Sequence, residues 1–424
     1  MGRSATDLLD IGLGLARVYR SEYWSKDRII EYQERATVQQ LRYAVTHIPY
    51  YKDLEISVDS IVDTDSLQLF PKLTKRIIQE QGERLCNPAI IENSPFKSRT
   101  SGSSGEPTIT WFDRKSWNFC KYALKIRRTM EGGAPWRQRQ LLFDESAGAD
   151  GQVNPPTRNR FGPFQQIRLS VFTPIEEQMA ILLELKPTII YGTPSGVKEL
   201  CDYASARELQ MPSVPTVFLS SELITDAVRQ KIEASFKGRV IGVYGSTEFK
   251  DLAHECGHGR YHTYFQSAHV ESLSDNDQAP GPLLITSLVN KAMPLIRFDI
   301  GDYAQVGDDH CACGRNSPYL SNIAGREIEF LQLPDGRRIS PYMLTTAVEA
   351  VPGLLKYRFI QKRDLSLQME VVLSDSELSS TEQIRKIRRN VQLALHSDID
   401  LPVHSVENID RSAGGKHMIV THLP

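Results

Sequence analysis

The sequence lacks long apolar runs, an excess of one charge and a dense set of cysteines. No run approaches the roughly 18 consecutive apolar residues of a membrane-spanning helix, so we expect no membrane span. The 424 residues include 50 lysines and arginines and 52 acidic residues, a formal net charge of −2. A chain with balanced charge has no electrostatic reason to bind nucleic acid or an anionic membrane. Neither is expected as a partner.

Cysteines are few and scattered: six in a long chain, which argues against a disulfide framework and favours the reducing cytoplasm. Acidic residues interrupt the apolar ones in the first ten positions, so this segment makes a poor secretion signal. With 40% hydrophobic and 24% charged residues, the composition is typical of a soluble enzyme with a sizeable core. The length suggests two or three domains of about 150 residues each.

What the sequence does have is a stretch rich in hydroxyl and glycine residues at 98–110 (SRTSGSSGEPTIT). Glycines let the backbone approach a ligand closely, and hydroxyl and backbone N–H groups donate to phosphate oxygens. No lysine follows Gly105, so the stretch is not a Walker loop. A flexible Ser/Gly linker is the alternative interpretation. The candidate phosphate-binding residues are Thr100, Ser101, Gly102, Ser103, Ser104 and Gly105.

Strand and helix patterns alternate from position 138 to 250, which indicates βαβ units and a parallel sheet. Ligands of such sheets bind beyond the carboxyl ends of the strands. Several of these ends carry glycine, hydroxyl or acidic residues, and together they favour a binding site over ordinary turns. The expected strands are 140–143, 188–191, 216–219 and 240–244, and the unusual ends are 191–195, 220–222 and 244–249.

The pattern changes to shorter β segments after position 260. Beyond 326 it combines a hairpin signal at 333–336 with a helix at 381–396. We therefore predict a large α/β domain, residues 1–325, with parallel sheets, helices and a smaller β region. A small α+β domain, residues 326–424, is predicted to follow it.

Five motifs occur in an order that is more specific than any one of them. On these motifs the chain resembles the adenylate-forming superfamily of acyl-CoA synthetases over nearly its whole length. Within it, the chain is most similar to the phenylacetate-CoA ligase group and its capsule-biosynthesis relatives. Thr108, where many other adenylating enzymes have lysine, fits that group. The motifs are 100–107 (TSGSSGEP), 244–248 (YGSTE), 297–302 (RFDIGD), 325–326 (GR) and 414–416 (GGK).

The resemblance implies the adenylate-forming ligase fold and a reaction in two steps. A carboxylate attacks the α-phosphate of Mg-ATP, which releases pyrophosphate and leaves an acyl-adenylate. A thiol, usually that of coenzyme A, then takes the acyl group and AMP leaves. The first step concentrates negative charge on phosphates, so it needs hydrogen-bond donors, a cation and a metal ion.

The resemblance also implies roles for single residues. The loop 100–105 would hold the β- and γ-phosphates, and Glu248 would hold magnesium. Tyr244 would pack on adenine, and Asp302 would accept from the ribose hydroxyls. Arg326 would steady ribose or phosphate, and Lys416 would reach the α-phosphate and the attacking carboxylate. Ser221, Glu222, Gly245, Ser246 and Thr247 complete the predicted nucleotide-binding set.

The hinge of the small mobile domain departs from the expected pattern. Related enzymes have aspartate soon after the Gly-Arg pair, whereas Ile328 and Glu329 stand at those places here. Hinges absorb the torsion change that lets Lys416 leave and the thiol enter. Glu329 is the candidate hinge residue. The departure leaves open whether the acceptor is coenzyme A or, alternatively, a carrier-protein phosphopantetheine or an amine.

A second group of residues predicts a zinc site. The segments 254–262 (HECGHGRYH) and 310–315 (HCACGR) together hold cysteines and histidines, the ligands that close a tetrahedron around Zn²⁺. His258 and His254 are alternatives to the expected histidine, and free thiols with surface histidines are the alternative to a metal. Some phenylacetate-ligase relatives carry such a metal. The predicted ligands are Cys256, His262, Cys311 and Cys313.

The acid substrate is expected beside the unusual strand ends. Flat apolar side chains there favour an aromatic acid. A catalytically idle scaffold held together by zinc is the alternative from another class of protein. An exposed face on the N-terminal helices is compatible with a homodimer. The predicted acid-binding residues are Phe143, Tyr191, Gly192, Thr193 and Pro194.

Overall fold

The computed structural model describes most of the chain, in two compact units. One unit comprises Met1–Glu131 and Val243–Ile323, and the other comprises Gly132–Gly242 and Ala324–Pro424. None of the described helices is long and apolar enough to span a membrane. The described residues are 4–92, 94, 96–99, 108–133, 138–144, 157–159, 165–274, 279–326, 329–374, 376, 378–396, 399–412 and 417–423.

The part of the first unit before residue 132 is mainly helical. Ser4 begins the first helix with a capping box, in which its hydroxyl accepts from Asp7 N at 3.1 Å. A π-helical turn, Asn118–Ala123, joins two short α-helices in this part. The elements are α1 (Ala5–Ser21), α2 (Lys26–His47), α3 (Pro49–Lys52), α4 (Lys75–Gln81), α5 (Pro88–Ile91), β1 (Lys97–Arg99), β2 (Ile109–Trp111), α6 (Arg114–Trp117) and α7 (Leu124–Thr129).

Helix α1 packs closely on the π-helical turn. Gly14 makes this approach possible, because a Cβ atom there would lie 2.8 Å from the Phe119 ring. Ile11 and Val18 are buried on the same side of α1, as their helical spacing requires. The opposite side exposes Leu8, Leu9 and Leu13 to solvent.

Strands and helices alternate through the first part of the second unit. Strands β3, β5, β6 and β7 pair parallel in the order β7-β6-β3-β5, so the predicted parallel sheet is confirmed. The elements are β3 (Arg139–Asp144), β4 (Thr157–Asn159), β5 (Gln165–Ser170), α8 (Ile175–Leu185), β6 (Ile189–Gly192), α9 (Pro194–Ala206), β7 (Thr216–Ser220), α10 (Asp226–Phe236) and β8 (Arg239–Ser246).

Strand β8 leads back into the first unit, where an antiparallel meander follows. Its strands lie in the order β11-β12-β13-β14-β10-β9-β8. Helices α2 and α3 share a hydrophobic core with these strands, which contains Leu41, Tyr51, Ile285 and Phe298. The strands are β9 (Lys250–Glu255), β10 (Tyr261–Thr263), β11 (Ala268–Ser272), β12 (Gly281–Ser287), β13 (Phe298–Gly307) and β14 (Tyr319–Arg326).

The last hundred residues build a sheet and core of their own within the second unit. Strands β19-β18-β17-β20 form one sheet, and the buried members of its core all lie between Leu331 and Val420. The division into domains 1–325 and 326–424 stays a prediction. The elements are β15 (Leu331–Gln332), β16 (Arg338–Ile339), α11 (Pro341–Val348), β17 (Leu354–Gln361), β18 (Leu367–Leu373), α12 (Ser380–Leu395), β19 (Val403–Ser405) and β20 (Val420–His422).

Candidate active site

Two of the predicted components lie outside the described residues. These are the phosphate loop, Thr100 to Gly105, and Lys416. Strands β1 and β2 flank the loop and pair antiparallel, with Arg99 opposite Ile109. The remaining predicted residues divide between the two units.

In the first unit, the motif 244–248 forms the end of β8 and the turn into β9. Ser246 pairs with Lys250, so Thr247, Glu248 and Phe249 make a three-residue hairpin loop. Ser246 Oγ accepts from Phe249 N at 3.3 Å within this loop. Glycine is required at Gly245, because a Cβ atom there would lie 2.4 Å from the Lys250 carbonyl oxygen. The motif therefore specifies a tight turn that presents Thr247 and Glu248.

Tyr244 and Asp302 are brought together from β8 and β13. The Tyr244 hydroxyl donates to Asp302 Oδ2 at 2.9 Å, and Tyr244 is buried. Asp302 follows Gly301, which has a φ of 78°. Two predicted nucleotide-binding residues that are 58 positions apart in the sequence thus meet.

In the second unit, the predicted acid-binding residues gather at the carboxyl ends of β3 and β6. Phe143 contacts Gly192, where a Cβ atom would lie 3.1 Å from the Phe143 ring. Thr193 caps α9 by accepting from Gly196 N at 3.1 Å, and Pro194 occupies the first turn. The Tyr191 hydroxyl shares a hydrogen bond of 2.7 Å with Ser220 Oγ, at the end of β7.

Glu222 has a role that the sequence did not indicate. Its carboxylate accepts from Ser195 N and Ser195 Oγ, both at 2.9 Å, and from His417 N at 2.9 Å. His417 directly follows Lys416 in the sequence. Ser221, at the tip of the same turn, has a φ of 73°, which is unusual for a residue with a side chain. A predicted nucleotide-binding carboxylate therefore holds the residue next to Lys416.

Arg411 and Lys356 strengthen this attachment of the C-terminal segment. Arg411 donates to Ser195 Oγ at 2.8 Å and to Glu199 at 2.7 Å, and Lys356 pairs with Glu199 at 3.2 Å. Burial raises the pKa of Glu199, but the charges of Arg411 and Lys356 outweigh burial and leave the pKa lowered. No motif marks Arg411, Glu199 or Lys356, because their roles depend on contacts between distant segments.

An open cavity of about 380 Å³ lies beside these charged groups. It lies at the carboxyl end of β5 and the start of α8, and its lining includes Thr173, Gln178, Glu199, Lys356 and Arg411. The predicted acid-binding residues do not line this cavity. Arg326, the remaining predicted residue, ends β14 and is exposed.

The four predicted metal ligands form one cluster in the first unit. The ligand atoms of Cys256, His262, Cys311 and Cys313 all lie within 4.8 Å of one another. Cys256 Sγ is 3.8 Å from Cys311 Sγ, and Cys313 Sγ is 3.3 Å from His262 Nε2. Two thiols from the segment after β13, one from the end of β9 and an imidazole from β10 thus converge.

The surroundings of His262 suit a ligand that binds through Nε2. Its Nδ1 lies 3.2 Å from the Ser317 carbonyl oxygen and 3.1 Å from Ser317 Oγ, which orients the ring. Burial lowers the pKa of His262 to about 4, so the imidazole is neutral at neutral pH. Burial raises the pKa of the Cys256 thiol, so a bound cation would displace its proton.

The two alternative histidines lie elsewhere. His254 is buried and stacks on Tyr264 with a centroid distance of 5.4 Å. His258 contributes its backbone N–H, which donates to Cys256 Sγ at 3.4 Å. Of the three candidate histidines, the described cluster therefore uses His262.

Comparison with known proteins identifies the fold. A 2-hydroxyisobutyryl-CoA ligase structure, in its postadenylation state with 2-HIB-AMP, matches with a TM-score of 0.75 and 20% identity, over 92% of this chain and 89% of that chain. An anthranilate-CoA ligase structure with anthranoyl-AMP matches with a TM-score of 0.56 and 16% identity, over 76% of this chain and 64% of that one. The fold is that of the adenylate-forming ligases, as predicted.

Sequence comparison gives more specific relatives within this fold. A phenylacetate-coenzyme A ligase of Thermus thermophilus is 24% identical over 437 residues, which cover 92% of this chain and 96% of that protein. Protein CapK of Staphylococcus aureus is 20% identical over 372 residues, 83% of this chain and 79% of CapK. No family model matches the chain. The predicted resemblance to phenylacetate-CoA ligases and their capsule-biosynthesis relatives is confirmed.

Proposed function

We propose that this protein is an AMP-forming carboxylate-CoA ligase. It activates a carboxylic acid with ATP to an acyl-adenylate and then transfers the acyl group to coenzyme A. The observation that carries this proposal is the Tyr244–Asp302 pair, held at 2.9 Å on two strands of a ligase fold. The resemblance to ligases over 92% of the chain supports it.

In this proposal, Asp302 binds the ribose and Tyr244 packs on the adenine. The hairpin loop presents Thr247 to the nucleotide and Glu248 to magnesium, a hard cation that prefers carboxylate oxygens. The loop 100–105 holds the outer phosphates, and Lys416 and Arg326 stabilise the charge that develops during transfer. When bound, magnesium neutralises phosphate charge and orients the leaving pyrophosphate.

The acid is proposed to bind beside Phe143 and the turn Tyr191 to Pro194, and an aromatic acid suits these walls best. The Phe143 ring is buried, and Gly192 lies against it. Flat apolar surfaces favour planar substrates through stacking and burial. If only saturated aliphatic acids are activated, this assignment fails while the ligase reaction itself stands.

The direct test is carboxylate-dependent release of pyrophosphate from Mg-ATP over a panel of acids, with and without coenzyme A. Release beyond one turnover only with coenzyme A supports the complete reaction. A single-turnover burst that coenzyme A does not extend favours a carrier-protein or amine acceptor. Asp302→Asn is expected to weaken Mg-ATP binding, whereas Asp308→Asn, an exposed residue paired with Lys26, serves as the matched control. Absence of release with every acid and of Mg-ATP binding would contradict the proposal.

A structural zinc ion is a further part of the proposal. Two thiols of one loop, one thiol of another and a neutral imidazole offer the donor set and number of a closed tetrahedral site. Such a site would tie the end of β9 to the segment before β14. None of the six cysteines, all within the described residues, forms a disulfide, which agrees with a cytoplasmic location.

Self-association is proposed through the N-terminal helices. Leu8, Leu9 and Leu13 are between 57% and 63% exposed on one side of α1. Apolar side chains grouped on a surface often mark a protein interface. Sedimentation of the full chain at two concentrations tests this proposal, and a monomer at both would refute it.

A further inference from the structure

Lys250 occupies a backbone position that seldom carries a side chain. It follows the three-residue loop of the β8–β9 hairpin and has a φ of 67°. Glycine is typical at this position, because the left-handed conformation crowds a Cβ atom. Strained residues cluster at functional sites, so such an outlier motivates a functional hypothesis. The lysine side chain therefore needs an explanation beyond the turn.

The ammonium group of Lys250 is held by neutral oxygens. Its Nζ donates to the Thr247 carbonyl oxygen at 2.8 Å and to the hydroxyl of Ser98. The adjacent rings of Phe112 and Trp117 lie nearby, each with its centroid 5.5 Å from Nζ. Neutral and aromatic partners stabilise a cation without cancelling its charge. The positive charge remains available to an anion.

A second lysine shares this environment. Lys121, on the π-helical turn, places its Nζ 4.1 Å from the centroid of the Trp117 ring. Burial and the charge of Lys121 lower the pKa of Lys250 to about 8, while Glu248, Cys120 and Asp251 act in the opposite direction. Asp251 is itself paired with Arg128 at 3.0 Å. Two neighbouring lysines repel each other, and a bound anion would relieve the repulsion.

The positions of the neighbouring residues in the sequence indicate which anion Lys250 would bind. Ser98, which anchors the ammonium group, lies two residues before the predicted phosphate loop, and that loop contains no lysine. Thr247 and Glu248, on the other side, belong to the predicted nucleotide and magnesium set. We propose that Lys250 is a phosphate-binding residue that contacts the outer phosphates of ATP and the pyrophosphate product. The inference rests on the proposed function.

Its part in the reaction is electrostatic. A carboxylate oxygen bonds to the α-phosphorus, the bond from that phosphorus to the bridging oxygen breaks, and pyrophosphate leaves with the electron pair. Negative charge grows on the departing group, and the fixed ammonium group stabilises it. Lys250 donates hydrogen bonds and transfers no proton in this step. It supplies from a neighbouring hairpin the cation that the loop itself lacks.

The test compares binding of Mg-ATP, Mg-pyrophosphate and AMP by calorimetry, without any acid substrate. Lys250→Gly removes the side chain and suits the positive φ, so the variant is expected to fold. It should bind Mg-ATP and Mg-pyrophosphate about tenfold or more weakly, the usual value of a charged hydrogen bond. AMP affinity should stay within about twofold of wild type, and Lys250→Arg should recover part of the loss.

Lys291→Met is the matched control. Lys291 is also partly buried with a lowered pKa, and it donates to Gln40 and lies over Tyr43. This variant should keep its affinity for all three probes. Unchanged phosphate binding in Lys250→Gly, or an equal loss for AMP, overturns the inference and leaves the proposed function intact. If the wild-type protein binds none of the three probes, the inference on Lys250 and the proposed function are both overturned.

Discussion

Each unit contains a cluster of arginine and carboxylate side chains, and the two clusters differ in exposure. In the first unit, Glu22 accepts from Arg127 at 2.8 and 2.5 Å and from Arg315 at 2.8 Å, and these side chains are 7–9% exposed. In the second unit, Glu199 pairs with Arg411 and Lys356 while its own side chain is 37% exposed. The cluster around Glu22 is buried, and the cluster around Glu199 is partly exposed to solvent.

This difference distinguishes an ion-pair network that stays closed from one that can open. A buried ion network resists rearrangement, because removing one partner leaves a charge without compensation in a medium of low polarity. A partly exposed pair is worth little, since water replaces either partner. The buried network fixes Arg315, two residues beyond the proposed metal ligand Cys313. The exposed network holds Arg411, five positions before Lys416 in the sequence. The proposed second step requires Lys416 to move.

The largest expected effect comes from breaking the buried cluster. Glu22→Gln removes the more buried of the two carboxylates that Arg127 and Arg315 share and leaves them Glu131, at 3.2 and 3.0 Å. The free energy of unfolding should fall by about 3 kcal/mol. Urea unfolding of the purified protein measures this change. Glu80→Gln, which breaks an exposed pair with Arg76, should cost about 0–1 kcal/mol. Similar losses in the two variants would contradict the distinction.

Removing the metal should have the next largest effect, because the cluster adjoins Arg315. Cys311→Ser is expected to lose bound zinc and about 3 kcal/mol of stability, the linkage energy of a ligand present at a few hundred times its dissociation constant. Elemental analysis and urea unfolding of the same samples check both effects. Cys86→Ala, a buried cysteine outside the cluster, should keep its zinc. If the purified protein contains no zinc and chelators do not change its stability, the metal site is refuted.

Opening the exposed cluster should affect catalysis more than stability. Arg411→Met removes contacts with Ser195 and Glu199, so the segment next to Lys416 should be held less often in this arrangement. We expect acid-dependent pyrophosphate release to fall about tenfold, equivalent to 1.4 kcal/mol, and the free energy of unfolding to fall by less than about 1 kcal/mol.

Arg358→Met provides the control for that variant. Arg358 forms a comparable partly exposed pair with Glu370 on strands β17 and β18. Its pyrophosphate release should match that of wild type. If both variants lose activity equally, the loss reflects a general disturbance of the sheet and not the attachment of residues 411–417.

Local sequence patterns predicted the fold and the cysteine–histidine cluster, while its metal stays a prediction. Short apolar runs between helical patterns specified β3, β6 and β7, because periodicity is a property of neighbouring residues. Cysteines and a histidine with few alternatives specified the cluster at 256–313. The order of motifs specified the ligase resemblance, and Tyr244 and Asp302 do meet in the structure.

Contacts between residues that belong to no motif and are distant in the sequence could not be predicted from the sequence. Arg411, Glu199 and Glu222 meet because α9, β7 and the C-terminal segment are adjacent in space, and no spacing rule links them. Lys250 follows the motif 244–248 directly, yet its importance lies in a positive φ and a tertiary contact with Ser98. One signal was available: a residue with a large side chain stands where a short hairpin favours glycine.

A further expected effect is a pH dependence that contrasts Lys250 with the buried cluster. Glu22 has two cationic partners, whereas the described hydrogen-bond partners of Lys250 are neutral, and its pKa is lowered to about 8 from 10.5. Between pH 8 and 10.5 the unfolded chain therefore binds more protons at this lysine than the folded chain does. Stability contributed by this residue should rise with pH across that interval.

Urea unfolding of wild type and Lys250→Gly at several pH values between 7.5 and 10 isolates this contribution. The difference in unfolding free energy between the two proteins should shift in favour of wild type as pH rises, because deprotonation removes the cost of a partly buried charge. Mg-ATP affinity should change in the opposite direction, since the neutral amine attracts phosphate less. If the unfolding free energies of the two proteins change with pH in parallel, the charge of Lys250 does not destabilise the folded state. The contrast with Glu22 would then be limited to the different charges of their partners.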